Sequence, residues 1–227
     1  MIAVPERSFA DIFLRISGVC YLILMGDLLL MITTVPVWAL VFFTPLDQSW
    51  MALALVAPIL APAVSGAFAA FQAYVEDGST AVVRSFLRGW ASQIKKTLVL
   101  GAALSGLVVV LVVNLHAAAG TAWGALAAPG YCVTGLLGVV AFFTGLALIG
   151  RRPEIPRWQA MKAGLIAGVR GGLWSLVSLA ALGVFAAMLW QRAALALIAA
   201  PAPVLFVVWY DANRAILGRV APPEQNG

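Results

Sequence analysis

The chain has 227 residues, 63% hydrophobic and only 10% charged, with a net charge of +5 and a mean hydropathy of +1.01. A soluble domain carries about 25% charged residues, so this chain has too few to cover a water-facing surface. A nucleic-acid partner is excluded with the soluble class, because the basic residues sit in short loops between apolar runs and suit anionic lipid headgroups.

Crossing roughly 30 Å of hydrocarbon at 1.5 Å per residue takes about 20 apolar residues. Glu6, Arg7 and Asp11 precede the first such run, Val19–Phe43, which contains Asp27 and Pro36. It is too long and too interrupted for a signal peptide and is predicted to be a retained span. Five more follow: Met51–Tyr74, Thr97–Asn114, Gly124–Ile149, Gly172–Trp190 and Ala193–Tyr210. Only Gln191 and Arg192 separate the last two, which predicts a tight hairpin there. Pro58, Pro62, Pro201 and Pro203 interrupt the second and sixth spans. Membrane helices tolerate this where neighbours satisfy the freed carbonyls.

The cations set an orientation. Thirteen of the fourteen Lys and Arg fall in the N-terminal segment, the second and fourth loops and the C-terminal tail; Arg192 stands alone on the other side. Positive residues mark the cytoplasm, so both termini are predicted inside. Trp50, Trp123 and Trp190 then fall near the outer boundary, and Trp90, Trp158 and Trp209 near the inner one, where an indole suits the headgroup zone. The expected fold is a single all-α membrane domain over residues 1–227, a polytopic helical bundle of about six transmembrane helices. One or two interfacial amphipathic helices accompany them.

The first of these is Ser79–Ile94, where Val82, Val83, Phe86, Leu87, Trp90 and Ile94 recur at helical spacing, with Arg84 and Arg88 off the stripe. Asp77, Gly78 and Ser79 suit its start. Such a helix anchors a loop in the interface or offers a docking surface, and Arg84, Arg88, Trp90, Lys95 and Lys96 are the candidate lipid or partner contacts. A second element spans Pro156 to Arg170, with Trp158, Met161, Leu165 and Val169 on one face and several glycines weakening it. The two basic segments match at an offset of 75 residues: Gly89 with Gly164, Ile94 with Val169, Lys95 with Arg170, Leu98 with Leu173. A duplicated hairpin, 51–114 and 124–190 in the same orientation, would produce that pattern.

Asp27 is the one carboxyl well inside a span, about 12 Å deep at 1.5 Å per residue. An ionised carboxylate there costs several kcal/mol unless it is paired, protonated or faces a polar cavity. It is either a proton or cation coupling site or a structural hydrogen-bonding group. Thr33 and Thr34 suit bonds to the preceding turn. Gln72 and Asn114 lie near span ends, and His116 suits an exposed interfacial position. Cys20 and Cys132 are far apart in apolar runs and suit packing. No cofactor or metal motif occurs, and neither a Walker A, a GxGxxG nor a GxSxG pattern is present. An enzyme is disfavoured.

Asp27–Leu30, Val35–Pro36, Ala61–Ala70 and Arg84–Gly101, the last reading RSFLRGWASQIKKTLVLG, resemble the YesL family (DUF624) of bacterial multi-span proteins over about a third of the chain. The resemblance implies the bacterial cytoplasmic membrane and an accessory role in carbohydrate uptake or utilisation, with an ABC-type sugar importer as the expected partner. It implies no catalytic residues. The competing expectation is a small secondary transporter with Asp27 near the coupling site, since repeats and Pro-broken spans are transporter devices.

Overall fold

Hydrocarbon offers a backbone no hydrogen-bond partner but itself, so apolar runs of this length must form helices or a closed barrel. The computed structural model of the chain describes residues 9–170 and 172–217, and every regular element among them is helical. In chain order these are α1 (Phe9–Thr33), α2 (Val35–Phe43), α3 (Leu46–Val56), a 3-10 turn (Ala57–Ile59), α4 (Leu60–Asp77), α5 (Val82–Ala118), α6 (Ala122–Arg151), α7 (Arg157–Arg170), α8 (Leu173–Ala199) and α9 (Pro201–Leu217). Arg7, Gly171 and Arg219 lie outside the described residues, as do the side chains of Arg15, Trp190 and Arg192.

Four segments are long and apolar enough to cross a membrane: Ile16–Thr33, Trp50–Asp77, Val82–Ala118 and Trp123–Arg151. A fifth is added if Arg157–Arg170 and Ser175–Leu189, which meet at 99°, count as one bent span. α9 has 17 residues, about 25 Å of helix, and alone falls short of a full crossing.

Prolines and threonines place the breaks. Pro36 has no amide donor, and α1 gives way to α2 at Thr34. The Thr33 and Thr34 hydroxyls donate to the Leu29 and Leu30 carbonyls one turn back, at 2.7 and 2.6 Å. Pro58 lies in the 3-10 turn that joins α3 to α4. α4 ends at Gly78, whose φ of +63° suits a residue without Cβ. The Ser79 N–H closes that turn on the Ala73 carbonyl at 3.1 Å.

Two expectations change here. No hairpin forms at Gln191–Arg192: α8 continues through both residues and ends at Ala199. Gln and Arg are good helix formers, whereas the residue before a proline resists the α conformation, so the break falls at Ala200, before Pro201. Nor is Ser79–Ile94 a separate interfacial helix. Residues 82–94 are the first part of α5, which is 37 residues long and about 55 Å, nearly twice the hydrocarbon thickness.

The core centres on α4, which packs against α1, α5, α6 and α9. From Ala61 to Phe71 it is buried at all positions but one, and most of its residues there are Ala, Gly or Ser. Small side chains let helices approach closely where lipid gives no hydrophobic drive to associate. Phe71, fully buried, meets Phe206 edge-on at 5.3 Å between centroids and Trp209 at 6.1 Å.

Candidate functional site

On α5 the stripe Val82, Phe86, Gly89, Gln93 and Thr97 is buried and faces α4. The Ser65 hydroxyl donates to Gln93 Oε1 at 3.2 Å, and Gly89 sits against Ala69 so closely that no Cβ would fit. Arg84, Arg88 and Lys95 therefore point outward and are exposed. Trp90 and Lys96 are not part of that free surface. Trp90 follows the buried Gly89, and its indole N–H is buried with no hydrogen-bond partner among the described residues. Lys96 donates to the Pro153 carbonyl and ties α5 to the loop after α6.

On α7 the apolar stripe faces outward and the small residues face the bundle. Its buried residues are Ala160, Gly164, Ala167 and Gly168, while Trp158 is 63% exposed and Leu165, Ile166 and Val169 are also exposed. A Cβ on Gly164 would come within 2.8 Å of the Ala141 carbonyl and the Gly145 amide of α6. The small residues thus make the helix contact, and the large ones face outward beside Arg157, Lys162 and Arg170. Lys162 Nζ lies 4.9 Å from the Trp158 ring centroid. Trp209 is packed into the bundle, 3% exposed, rather than turned outward.

The two contacts repeat at one spacing. Adding 75 to Ala69–Gly89 gives Thr144–Gly164, which also touch, and adding it to Ser65–Gln93 gives Val140–Gly168, which touch as well. Phe68 and Phe143 meet at 6.5 Å, and Glu76 pairs with Arg151, each separated by the same interval.

Asp27 is 4% exposed, and its Oδ1 accepts the Ala202 backbone N–H at 2.6 Å. The first turn of α9 has few amides to offer, because Pro201 and Pro203 have none. Asp27 caps the donor between them from another helix, and a negative group at a helix N-terminus is favoured by the macrodipole. Its Oδ2 has no partner among the described residues.

A second buried carboxyl escaped the sequence reading. Asp211, 7% exposed, accepts the Ser178 hydroxyl on Oδ2 at 2.6 Å. It lies one residue past Tyr210, where the sixth span was expected to end. Nearby, Arg151 Nε donates to Asn213 Oδ1 at 2.6 Å while its guanidinium pairs with Glu76. The signal that was available is the Asp211-x-Asn213-Arg214 spacing, which continues α9 as a helix with a polar end. Gln72 donates to Glu76 at 2.9 Å, and Asn114 and His116 bond carbonyls of their own helix. Cys20 and Cys132 are exposed and unbridged, and no group of His, Cys, Asp or Glu among the described residues could hold a metal ion.

At the other end of the bundle α1, α2, α3, α4, α5, α6, α8 and α9 enclose a partly open cavity of about 560 Å³. Its lining includes Trp38, Trp50, Ala54, Val109, Phe143 and Leu205, and no ionisable side chain among the described residues. Its two hydroxyls are occupied, Thr34 by the Leu30 carbonyl and Ser105 by the Ala54 carbonyl, and Trp38 donates to Thr34 at 2.7 Å. Bound water needs two to four polar partners, and these walls offer few. The walls are suited to hydrocarbon. No protein family, no curated relative and no solved structure matches this chain, so these features stand without a precedent to name them.

Proposed function

We propose that the chain is a non-enzymatic membrane protein of about six passes, the short α9 counted among them, with both termini in the cytoplasm, working as an accessory that binds a partner through the basic end of α5. The observation that supports this most is the division of labour on that helix. Val82, Phe86, Gly89 and Gln93 are buried in packing on α4, while Arg84, Arg88 and Lys95 remain exposed on a helix too long for the bilayer alone. The resemblance to the YesL family supports a bacterial cytoplasmic membrane and an ABC-type sugar importer as that partner. The matching contacts 75 residues apart support a duplicated hairpin as the architecture. Purification in mild detergent with partners identified by mass spectrometry tests the proposal. An importer subunit retained by the native chain and lost from a triple Arg84→Glu, Arg88→Glu, Lys95→Glu variant supports it; recovery of lipid and self alone contradicts it.

A second reading, a small ion-coupled transporter, draws on the unpartnered Oδ2 of Asp27. Against it, Oδ1 is already committed to α9 and the adjoining cavity is apolar. Asp27→Asn keeps an oxygen for Ala202 but loses the titrating proton. Coupled uptake into liposomes that disappears in this variant supports the reading, and unchanged uptake removes it.

A further inference from the structure

The large cavity lies toward the end of the bundle away from Arg84, Lys95 and Arg151, and its walls come from the membrane-suited helices. Along α5 it runs from Gly101 to Val112, eleven steps or about 16 Å. That is roughly half of a 30 Å hydrocarbon core, the depth of a single leaflet. Val108 and Val112 line the cavity and are also exposed, 45% and 37%, so the space is continuous with the apolar outer face of α5. Trp38 and Trp50 are among its lining residues, and an indole is a side chain that interfaces favour.

We infer that the cavity is a binding site for one acyl chain of a bilayer phospholipid, entering from the leaflet opposite the basic ends of α5 and α7. The volume falls within the roughly 300–1,000 Å³ of ordinary ligand sites. Among the described lining residues none is ionisable, so a charged headgroup finds no counter-charge there and stays at the mouth, while the chain enters. A polar solute is disfavoured for the same reason. The site uses none of the residues proposed to meet a cytoplasmic partner, so the two proposals fail separately.

Native mass spectrometry of the full-length protein from mild detergent, incubated with palmitoyl-oleoyl phosphatidylglycerol, tests the inference. One lipid per chain should persist under activation that strips the rest. Phosphatidylcholine with the same chains should compete equally, because the chain is what the site holds. Ala54→Phe and Val109→Phe each place a ring in the space from a different wall and should lower the retained lipid by about tenfold or more. Val99→Phe, on an exposed part of α5 outside the cavity, should leave retention unchanged. Circular dichroism and monodisperse elution select the filling variants that fold. Retention indifferent to filling, equal loss in all three variants, strong headgroup preference, or a retained species with the mass of a free fatty acid or an isoprenoid would each overturn the assignment.

Discussion

The hairpins α4–α5 and α6–α7 make the same close contact and then leave it differently. In both, a glycine on the second helix lies against small residues of the first, Gly89 on Ala69 and Gly164 on Ala141 and Thr144. After that contact α5 runs on without a break through Lys96 and Thr97, whereas α7 stops and the chain turns by 99°. The residues 75 positions after Lys96 and Thr97 are Gly171 and Gly172, and Gly172 has φ +53°. A left-handed residue ends an α-helix, and glycine adopts it without a Cβ penalty. Helix pairing and helix direction are therefore set by different residues.

The largest effect should come from removing the shared contact. Gly164→Val would force two methyl groups into backbone of α6 and should cost at least about 3 kcal/mol, at or above the upper end of overpacking. Gly89→Val meets Ala69 and should cost a comparable amount. Thermal unfolding in detergent measures both. If either variant unfolds like the native protein, the contacts are not equivalent. Next, exchanging the exits should exchange the shapes. Lys96→Gly with Thr97→Gly introduces a flexible point into α5 at about 2 kcal/mol or more, near 1 kcal/mol per glycine plus the loss of the buried Thr97 side chain and of the Lys96–Pro153 bond. Gly171→Ala with Gly172→Ala favours a straight α7–α8. Spin-label distances across each junction report it, and an unaltered bend in the alanine pair would show that packing, not the glycines, sets the angle.

Much of this was legible in the sequence, and the misses have physical causes. The all-helical class and the apolar runs that hold four helices long enough to cross a membrane follow from hydrophobicity alone. The partner of Asp27 was foreshadowed by Pro201 and Pro203, which leave Ala202 as the donor between them. Only Val82 and Phe86 of the apolar stripe on α5 lie on its buried side; Gly89, Gln93 and Thr97 complete that side, and as a glycine and two polar residues they carry no hydrophobic signal. On α7 the face in contact is likewise Ala and Gly, and the apolar stripe lies outward. Gln191 and Arg192 looked like a turn because they are polar, yet both extend a helix well. Asp211 was hidden by a boundary placed one residue early.

The smallest effect should be at Glu76 and Arg151, which join the two hairpins. Both side chains are partly exposed, 20% for Arg151 and 39% for Glu76, so Glu76→Gln should cost no more than about 1 kcal/mol. A larger loss in thermal stability would make this pair a true clamp between the halves.

The basic ends of α5 and α7 must share one compartment if the hairpins are parallel copies. Single cysteines at Arg88→Cys and Lys162→Cys, in a Cys20→Ser, Cys132→Ser background, can be probed with a membrane-impermeant maleimide. Both should stay unlabelled in intact cells and react in inside-out vesicles. Labelling of either one from outside the cell would contradict the shared cytoplasmic face and the partner surface built on it.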